Sequence, residues 1–429
     1  MISFRKCTNE AKSGGGRVPR RTLRRLNRPL PRGICQQFPR LSGAKSTRYR
    51  RRVELLTSYP APMRPLRCTA SSAGASYLRR GQQHCDCLHG VSRQWVSSRA
   101  GSSRFVLSCL ASCTLHTFFF THVANFICKG HLMLKKTRQV VASVCDAKAL
   151  KEAVRGANAV IHCAALVPTT VMEDEDAFER INVKGTQNVV DACLEENVQY
   201  LVCTGSAGVI KDEGSQDGKF HHEGPYSESK AKAERIICEA SGCVLRDGVH
   251  RLRTFVARLL PLYGELDHAF IGSYIKWSRK TFNTLFRLGP GFQCIYAGNA
   301  AAFHVRALDA LCEDATLSGR CLVACDDTPL DGIDFLRPLV EGHGIRIYRR
   351  PVPYRVMMAA AQCTLGVVRV IAPVFPSVRK LVLPKPSDVR YIYKGAMLDD
   401  GEAREILAWL PRYSLEETVR LSRSFYDKL

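Results

Sequence analysis

The chain has 429 residues, of which 45% are hydrophobic, and its 63 Lys and Arg exceed its 39 Asp and Glu by a formal charge of +24. This composition excludes a collagen-like chain, a coiled coil and a wholly disordered protein. No uninterrupted run of about 20 apolar residues occurs, which argues against a polytopic membrane protein.

The charge is concentrated in the first third. Residues 1–138 contain 27 Lys and Arg and three acidic residues, whereas residues 139–429 contain 36 of each sign. Neither helical nor strand periodicity persists in the first part, so we predict a basic, largely disordered segment before a folded domain. An unusual first exon, a mitochondrial targeting segment and an RNA-binding arm are the alternatives for it. A nucleic-acid partner is not favoured, because aromatic residues are sparse and no recognition module is visible.

Two stretches of the basic segment have a distinct composition. Residues 105–128 carry no Asp, Glu, Lys or Arg, and this hydrophobic stretch is long enough for a weak membrane anchor. His84, Cys85, Cys87 and His89 carry metal-capable side chains, but their spacing fits no zinc motif. We therefore predict no metal site.

The nineteen cysteines indicate a reduced, intracellular protein, because several lie inside apolar runs, where a free thiol behaves as a small hydrophobic group. Cys321 and Cys325 lie four residues apart on a predicted strand. We predict that they share one face of it and have a packing role, not a redox role.

From residue 139 the chain alternates between apolar strands and helices. The predicted strands cover 140–144, 159–165, 200–204 and 254–259. The predicted helices cover 147–155, 175–196 and 226–240. Such alternation is typical of a parallel sheet covered on both faces. We predict an α/β fold with an incomplete doubly wound, Rossmann-like sheet over 139–429, whose smaller C-terminal substrate lobe lies mainly within 265–429.

Ligands of such sheets bind beyond the carboxyl ends of the strands, and the sequence places proton-transfer chemistry there. Tyr226 and Lys230 are four residues apart at the start of a predicted helix, so they share one face. A phenol has a pKa of about 10, which a nearby ammonium lowers, and the group then suits proton exchange with an alcohol or ketone. Ser206 follows a predicted strand and is placed to hydrogen-bond the same substrate oxygen.

This stretch has two other interpretations. Ser227 and Lys230 match the S-x-x-K pattern of serine acyl-enzymes, but the S-D-N and K-T-G partners that those enzymes need do not occur in the chain. The remaining alternative is that Tyr226 and Lys230 form a solvated helix start.

Several motifs, in the order in which they occur along the chain, resemble those of the 3β-hydroxysteroid dehydrogenase/isomerase family, which is part of the extended short-chain dehydrogenase/reductase superfamily. The likeness runs from about residue 140 to the C-terminus. It rests on VIHCAA at 160–165, NVKGT at 182–186, TGS at 204–206, Tyr226 with Lys230, Arg258, LYGE at 262–265, YAGN at 296–299, DDTP at 326–329 and YSLEE at 413–417.

The resemblance implies an oxidoreductase that oxidises a sterol 3β-hydroxyl with NAD, or alternatively NADP, as hydride acceptor. Some members of the family also shift a ring double bond. The implied catalytic roles are general base for Tyr226, ribose binding for Lys230, polarisation of the substrate oxygen for Ser206 and steadying of the site for Asn182. The residues implied to lie beside the cofactor are Ala164, Ala165, Thr204, Lys230 and Arg258.

The sequence departs from this family where the cofactor pyrophosphate should bind. A dinucleotide fold normally begins with a strand and a Gly-rich turn, and nothing before Val140 supplies that unit. Ala142 and Ser143 stand where the family usually has Gly-Asp, and Leu259 follows Arg258 where the family has Pro. We therefore expect that the first strand, first helix and second strand are absent or replaced, and that the chain has little or no dehydrogenase activity.

Residues 351–376 are apolar but interrupted by Arg and Pro, which predicts an interfacial membrane helix, with a core helix of the substrate lobe as the alternative. The resemblance implies a lipidic substrate and a membrane-associated location at the endoplasmic reticulum, with mitochondria as the second candidate. A sterol 4-carboxylate 3-dehydrogenase, another reductase of the extended family and a non-catalytic pseudoenzyme that binds ligands share the same motifs.

Overall fold

The computed structural model describes residues 92–98, 104–110, 137–210, 224–289, 291–329, 331–394 and 397–429. These residues all lie within one unit, Ser76–Leu429. The cluster at 84–89 and most of the uncharged stretch 105–128 lie outside the described residues, as do residues 1–91, so the predictions made for them stay predictions.

The strands are β1 Ser92–Ser98, β2 Arg104–Leu110, β3 Thr137–Ala142, β4 Ala159–His162, β5 Tyr200–Ser206, β6 Arg253–Leu259, β7 Leu262–Tyr263, β8 Thr284–Leu288, β9 Ile295–Tyr296, β10 Arg320–Ala324 and β11 Arg346–Val352. The main sheet has seven of them in the order β10-β6-β5-β4-β2-β1-β3, and two smaller sheets pair β7 with β9 and β8 with β11. Strands β2, β4, β5, β6 and β10 run parallel.

The positions left open by the sequence analysis are filled by a hairpin. Strand β2 pairs parallel with β4, and β1 pairs antiparallel with both β2 and β3. This agrees with the expectation that the first strands of the fold are absent or replaced, because a hairpin from residues before 139 stands in their place. Residues 104–110 are a strand, although the sequence analysis placed most of them in an uncharged membrane-anchor stretch. The six apolar and small polar residues that follow Arg104 fit a strand as well as part of a longer hydrophobic segment.

The helices follow the predicted alternation. They are α1 Ala147–Val154, α2 Glu175–Phe178, α3 Gly185–Glu195, α4 Pro225–Glu239, α5 Ile271–Lys280, α6 Ala297–Glu313, α7 Gly332–Val340, α8 Tyr354–Ile371, α9 Pro386–Lys394, α10 Gly401–Leu407 and α11 Leu415–Tyr426. A π-helical turn, Glu179–Lys184, joins α2 to α3. The Asp146 carboxylate caps α1 by accepting a hydrogen bond from the Ala149 amide at 3.0 Å, as its N-terminal position predicts.

Alternating strand residues bury against helices on both faces. On one face, Val160 of β4 and Leu201 of β5 pack in a cluster with Leu150 of α1 and Ile237 of α4. On the other face, side chains such as Ile161 pack in a cluster that includes α6 and α10. Burial of each large aliphatic side chain contributes about 1.5–3 kcal/mol, so this two-sided core fixes where the strands end.

A separate cluster builds the C-terminal lobe. Its buried residues come from β7–β9, α5, α7 and α11, with Tyr263, Tyr296, Phe335 and Tyr426 among the largest. Helix α8 lies outside this cluster and is largely exposed, since Ala361 and Val368 are its buried residues. The alternative that α8 is a core helix is therefore wrong. It is the one helix, among the residues described, that is long and apolar enough to cross a membrane.

Candidate active site at the carboxyl edge of the sheet

Ser206 and Tyr226 meet where β5 ends and α4 begins. The Ser206 side chain lies close enough to the Tyr226 hydroxyl to influence its pKa, and Ser206 Oγ accepts a hydrogen bond from the Gly208 amide at 3.2 Å. The Tyr226 ring packs edge-on against Phe178, with 5.8 Å between ring centroids. Pro225 occupies the first turn of α4, where its missing N–H leaves no bond unmade. The phenol is therefore held at the crevice and is not on a solvated helix start.

Burial is the largest influence on this phenol. It raises the pKa of Tyr226, the Ser206 hydroxyl opposes that rise, and the Glu173 carboxylate adds to it. The expectation that the Lys230 ammonium lowers this pKa is corrected, because the pKa lies above the usual value for tyrosine. The phenol of this chain is accordingly protonated at neutral pH.

Lys230 lies one helical turn after Tyr226 and is buried, with its Nζ donating to the backbone oxygen of Thr204 at 2.6 Å. Burial lowers the pKa of Lys230, although the nearby thiols of Cys203 and Cys163 and the Glu234 carboxylate favour the charged form. The ammonium is thus directed to the last residues of β5, next to the strand end that carries Ser206.

Thr204 links Lys230 to a buried histidine on α6. The Thr204 hydroxyl lies 2.7 Å from Nε2 of His304, and Nδ1 of His304 lies 2.7 Å from the Ala300 carbonyl oxygen. A carbonyl oxygen only accepts, so Nδ1 carries the proton and Nε2 accepts from Thr204. Burial lowers the pKa of His304 to about 4, which keeps the ring neutral. Thr204 therefore connects the two residues: its hydroxyl donates to His304, and its carbonyl oxygen accepts from Nζ of Lys230.

Asn182 lies on the π-helical turn between α2 and α3 and is buried. Its Oδ1 accepts from the Leu166 amide at 2.7 Å, and its Nδ2 donates to the Leu166 carbonyl at 3.1 Å. The same Nδ2 donates to Oγ of Ser229 at 3.0 Å, and Ser229 donates to the Tyr226 carbonyl at 2.7 Å. Asn182 thus ties the loop after β4 to the first turn of α4.

Ala164 and Ala165 follow β4 and are buried beside this loop, as small residues at a strand end should be. Arg258 has a different partner from the one expected. Its Nε and Nη2 donate to the two carboxylate oxygens of Glu234 on α4, at 3.0 and 2.5 Å. The structure thus brings Tyr226, Ser206, Lys230 and Asn182 together, whereas the guanidinium of Arg258 pairs with Glu234 on the helix that carries Tyr226.

Sequence reasoning missed an ion pair beside the phenol. Lys385 Nζ lies 2.6 Å from Oε1 of Glu173 and also donates to the Pro168 carbonyl at 3.0 Å. The side chains of Lys385 and Glu173 are 6% and 10% exposed, respectively. Oε2 of Glu173 is buried without a hydrogen-bond partner among the described residues. No local pattern could have indicated this pair, because 212 residues separate its members.

The residues present fit one half of a dinucleotide. The nicotinamide end would bind near the groups described above, which are the Tyr226 phenol, the Lys230 ammonium, the Ser206 hydroxyl and the Asn182 amide. At the pyrophosphate end, β2 stands where a dinucleotide fold has its first strand, but the sequence from 111 to 136 contains one glycine, Gly130. A turn of the G-x-G-x-x-G type is therefore missing after β2. Within the described part of the chain, no group of three or more His, Cys, Asp or Glu could hold a metal ion.

Comparisons with known proteins agree with the motifs. A model of the 3-beta hydroxysteroid dehydrogenase/isomerase family matches residues 129–353. An Arabidopsis thaliana 3beta-hydroxysteroid-dehydrogenase/decarboxylase isoform 2 is 28% identical over 68% of this chain and 53% of its own. Human 3 beta-hydroxysteroid dehydrogenase type 7 is 31% identical over 52% of this chain and 64% of its own. The matched region therefore spans between about half and two thirds of these relatives.

A third curated relative and one solved structure are also similar to this chain. A mouse sterol-4-alpha-carboxylate 3-dehydrogenase, decarboxylating, is 24% identical over 67% of this chain and 79% of its own. The solved UDP-glucose 4-epimerase of Thermus thermophilus, in complex with NAD, has a TM-score of 0.46 and 18% identity, over 66% of this chain and 83% of that chain. Since the family model covers more than half of the 429 residues, the chain belongs to the 3-beta hydroxysteroid dehydrogenase/isomerase family, as its motifs predict.

Proposed function

We propose that this chain carries the proton-transfer half of an NAD-dependent 3β-hydroxysteroid dehydrogenase. The meeting of Ser206 at the end of β5 with Tyr226 and Lys230 at the start of α4, where Lys230 Nζ donates to the Thr204 carbonyl oxygen, is the observation that carries the proposal. When bound, NAD would supply the hydride acceptor. The hydroxyl groups of Ser206 and Tyr226 would both hydrogen-bond the substrate oxygen. Lys230 and Asn182 would keep the end of β5 and the first turn of α4 in position.

The protonation state of the phenol suggests a direction. A Tyr226 whose pKa is raised by burial donates a proton to a ketone oxygen more readily than it removes one from an alcohol. Oxidation of a sterol alcohol would require extra positive charge near the phenol. The crevice formed by these residues can therefore protonate a ketone oxygen as it stands, and in the oxidative direction the positive charge of bound NAD would favour the phenolate that accepts the proton of the alcohol.

The charge beside the phenol also bears on the substrate. Glu173 has one oxygen on Lys385 and a second, buried oxygen without a partner among the described residues. A substrate carboxylate would add a like charge near Glu173 in a site of low polarity, which is unfavourable. We therefore favour a neutral 3-hydroxy or 3-keto sterol over a sterol 4-carboxylate, which is the alternative.

The missing Gly-rich turn supports weak cofactor binding and little turnover, and a pseudoenzyme that binds a sterol is the second outcome. The test measures NADH binding by fluorescence and NADH formation with a 3β-hydroxysteroid, in the full chain and in a chimera whose first βαβ unit comes from a complete relative. We expect turnover in the chimera alone. Turnover of the original chain with NAD would contradict weak cofactor binding, and an inactive chimera that binds NADH would contradict the proposed reaction.

The exposed apolar helix α8 supports a membrane-associated location, and we propose the surface of the endoplasmic reticulum. Val367 and Val370 of α8 are 59% and 77% exposed. A helix of this kind lies in the interface plane with its apolar side chains among the acyl chains. A lipidic substrate would then reach the lobe from the membrane.

A further inference from the structure

Two cysteines meet at the end of α4 that is remote from Tyr226. Cys238 lies in the last turn of α4 and Cys321 near the start of β10, and their sulfur atoms are 3.4 Å apart. Both side chains are partly exposed. Residues 83 positions apart in the sequence are thus in direct sulfur–sulfur contact.

The other cysteine of this stretch lies elsewhere. Cys321 packs against the cluster that includes α1 and α4, whereas Cys325 belongs to the cluster on the opposite face of the sheet. The prediction that both lie on one face is wrong, because β10 ends at Ala324 and the strand period stops there. The neighbour of Cys321 is therefore Cys238, which the sequence of β10 does not indicate.

The surroundings make the two sulfur atoms unequal. A hydrogen bond joins the two thiols, and it lowers the pKa of Cys238 and raises that of Cys321. The Arg258 guanidinium favours the Cys238 thiolate and the Glu234 carboxylate opposes it. Cys238 is the more readily ionised of the pair, and a thiolate is the reactive form of cysteine.

We propose that Cys238 and Cys321 are a reversible, peroxide-oxidisable dithiol site. The Cys238 thiolate attacks hydrogen peroxide, breaking the O–O bond to give a sulfenic acid and hydroxide, which takes up a proton. The Cys321 sulfur then loses its proton and attacks the Cys238 sulfur, and the sulfenic oxygen leaves as water. Overall the thiols lose two electrons and two protons, and the peroxide becomes two molecules of water.

The geometry requires little movement. A disulfide bond is about 2.05 Å long, so the two sulfur atoms must approach by about 1.4 Å, which side-chain rotation and a small helix shift can provide. The bond would tie the last turn of α4 to the edge strand β10. Because the first turn of α4 carries Tyr226, oxidation would fix the helix that positions the phenol.

The experiment uses the full chain and does not depend on enzyme activity. The reduced protein is treated with hydrogen peroxide, its remaining thiols are alkylated, and the digest is analysed by mass spectrometry. We expect a linked peptide with Cys238 and Cys321 that is lighter than its two components by two hydrogen atoms and is released by dithiothreitol. In urea its yield should fall to the level of random pairing among the cysteines.

Matched variants separate this site from general oxidation. Cys238→Ser and Cys321→Ser should each abolish the linked peptide, whereas Cys243→Ser, which removes an exposed thiol close by in the sequence, should leave its yield unchanged. The proposal is overturned if Cys238 proceeds to the sulfinic acid in the folded chain while Cys321 stays unlinked. It is also overturned if the linked peptide forms equally well in urea.

Discussion

Nζ of Lys385 lies 2.6 Å from the carboxylate of Glu173, and through this contact the segment before α9 is fastened to the loop beside Tyr226. A second contact strengthens the attachment, since the Val171 amide donates to the Leu381 carbonyl at 2.8 Å. The C-terminal lobe and the candidate active site are thus joined by a buried charge pair as well as by backbone hydrogen bonding.

The first prediction concerns that pair. Lys385→Met leaves the Glu173 carboxylate buried and unpaired, so we expect a loss of about 3–5 kcal/mol in the free energy of unfolding, measured by urea denaturation. The double variant Lys385→Met with Glu173→Gln removes the unpaired charge and should recover most of that loss. As a control, Arg320→Ala breaks a pair whose side chains are 53% and 59% exposed, and should cost less than about 1 kcal/mol. Equal losses in the two single variants would contradict this account.

The second prediction concerns the phenol. In the active chimera, Tyr226→Phe keeps the ring that packs on Phe178 and removes the proton-transfer group, so kcat should fall by roughly 10²- to 10⁴-fold. Ser206→Ala should lower kcat less, because the phenol can still exchange a proton with the substrate oxygen. The measurement is steady-state NADH formation, with sterol binding followed separately to show an intact pocket. Unchanged turnover in the Tyr226→Phe variant would remove this residue from the reaction.

The third prediction concerns pH. Burial lowers the pKa of His162 to about 3, with the nearby Lys230 ammonium contributing, and lowers that of His304 to about 4. Both values lie below the unfolded value of 6.5, so the unfolded chain binds more protons as the pH falls from about 6.5 towards 4. The stability that the neutral histidines contribute is therefore complete above pH 6.5 and is lost on acidification.

The size of this effect can be checked by urea denaturation at several pH values. The shift of His304 alone corresponds to about 3 kcal/mol over that range, since each pKa unit is worth about 1.4 kcal/mol. A His162→Leu variant titrates one buried histidine fewer, so its free energy of unfolding should depend less steeply on pH between 6.5 and 4. A slope identical to that of the original chain would show that His162 does not titrate on unfolding.

The fourth prediction concerns the membrane. The double variant Val367→Asp and Val370→Asp places two charges on the exposed face of α8 and should abolish sedimentation with phosphatidylcholine vesicles. Val249→Asp is the matched control, since Val249 is 78% exposed but lies in a loop of the sheet domain. Vesicle binding that survives the double variant would show that α8 is not the contact.

Local patterns predicted much of the sheet domain, and long-range contacts explain what they missed. The strand 159–165 and the helix 226–240 were visible because their apolar periodicity is continuous, and β4 and α4 lie where it predicts. The helix predicted over 175–196 contains the π-helical turn that carries Asn182, which a smooth 3.6-residue period does not show. Pairing of Lys385 with Glu173, and of Cys238 with Cys321, depends on how distant elements pack.

The hairpin of β1 and β2 separates two properties that usually occur together in dinucleotide folds. Two extended segments joined by five residues are enough to complete the row of backbone hydrogen bonds beside β4, whatever sequence follows them. The backbone hydrogen bonding of the sheet therefore does not require the Gly-rich turn that binds a pyrophosphate. In this chain the strand order of an oxidoreductase sheet is therefore formed without a Gly-rich turn after β2.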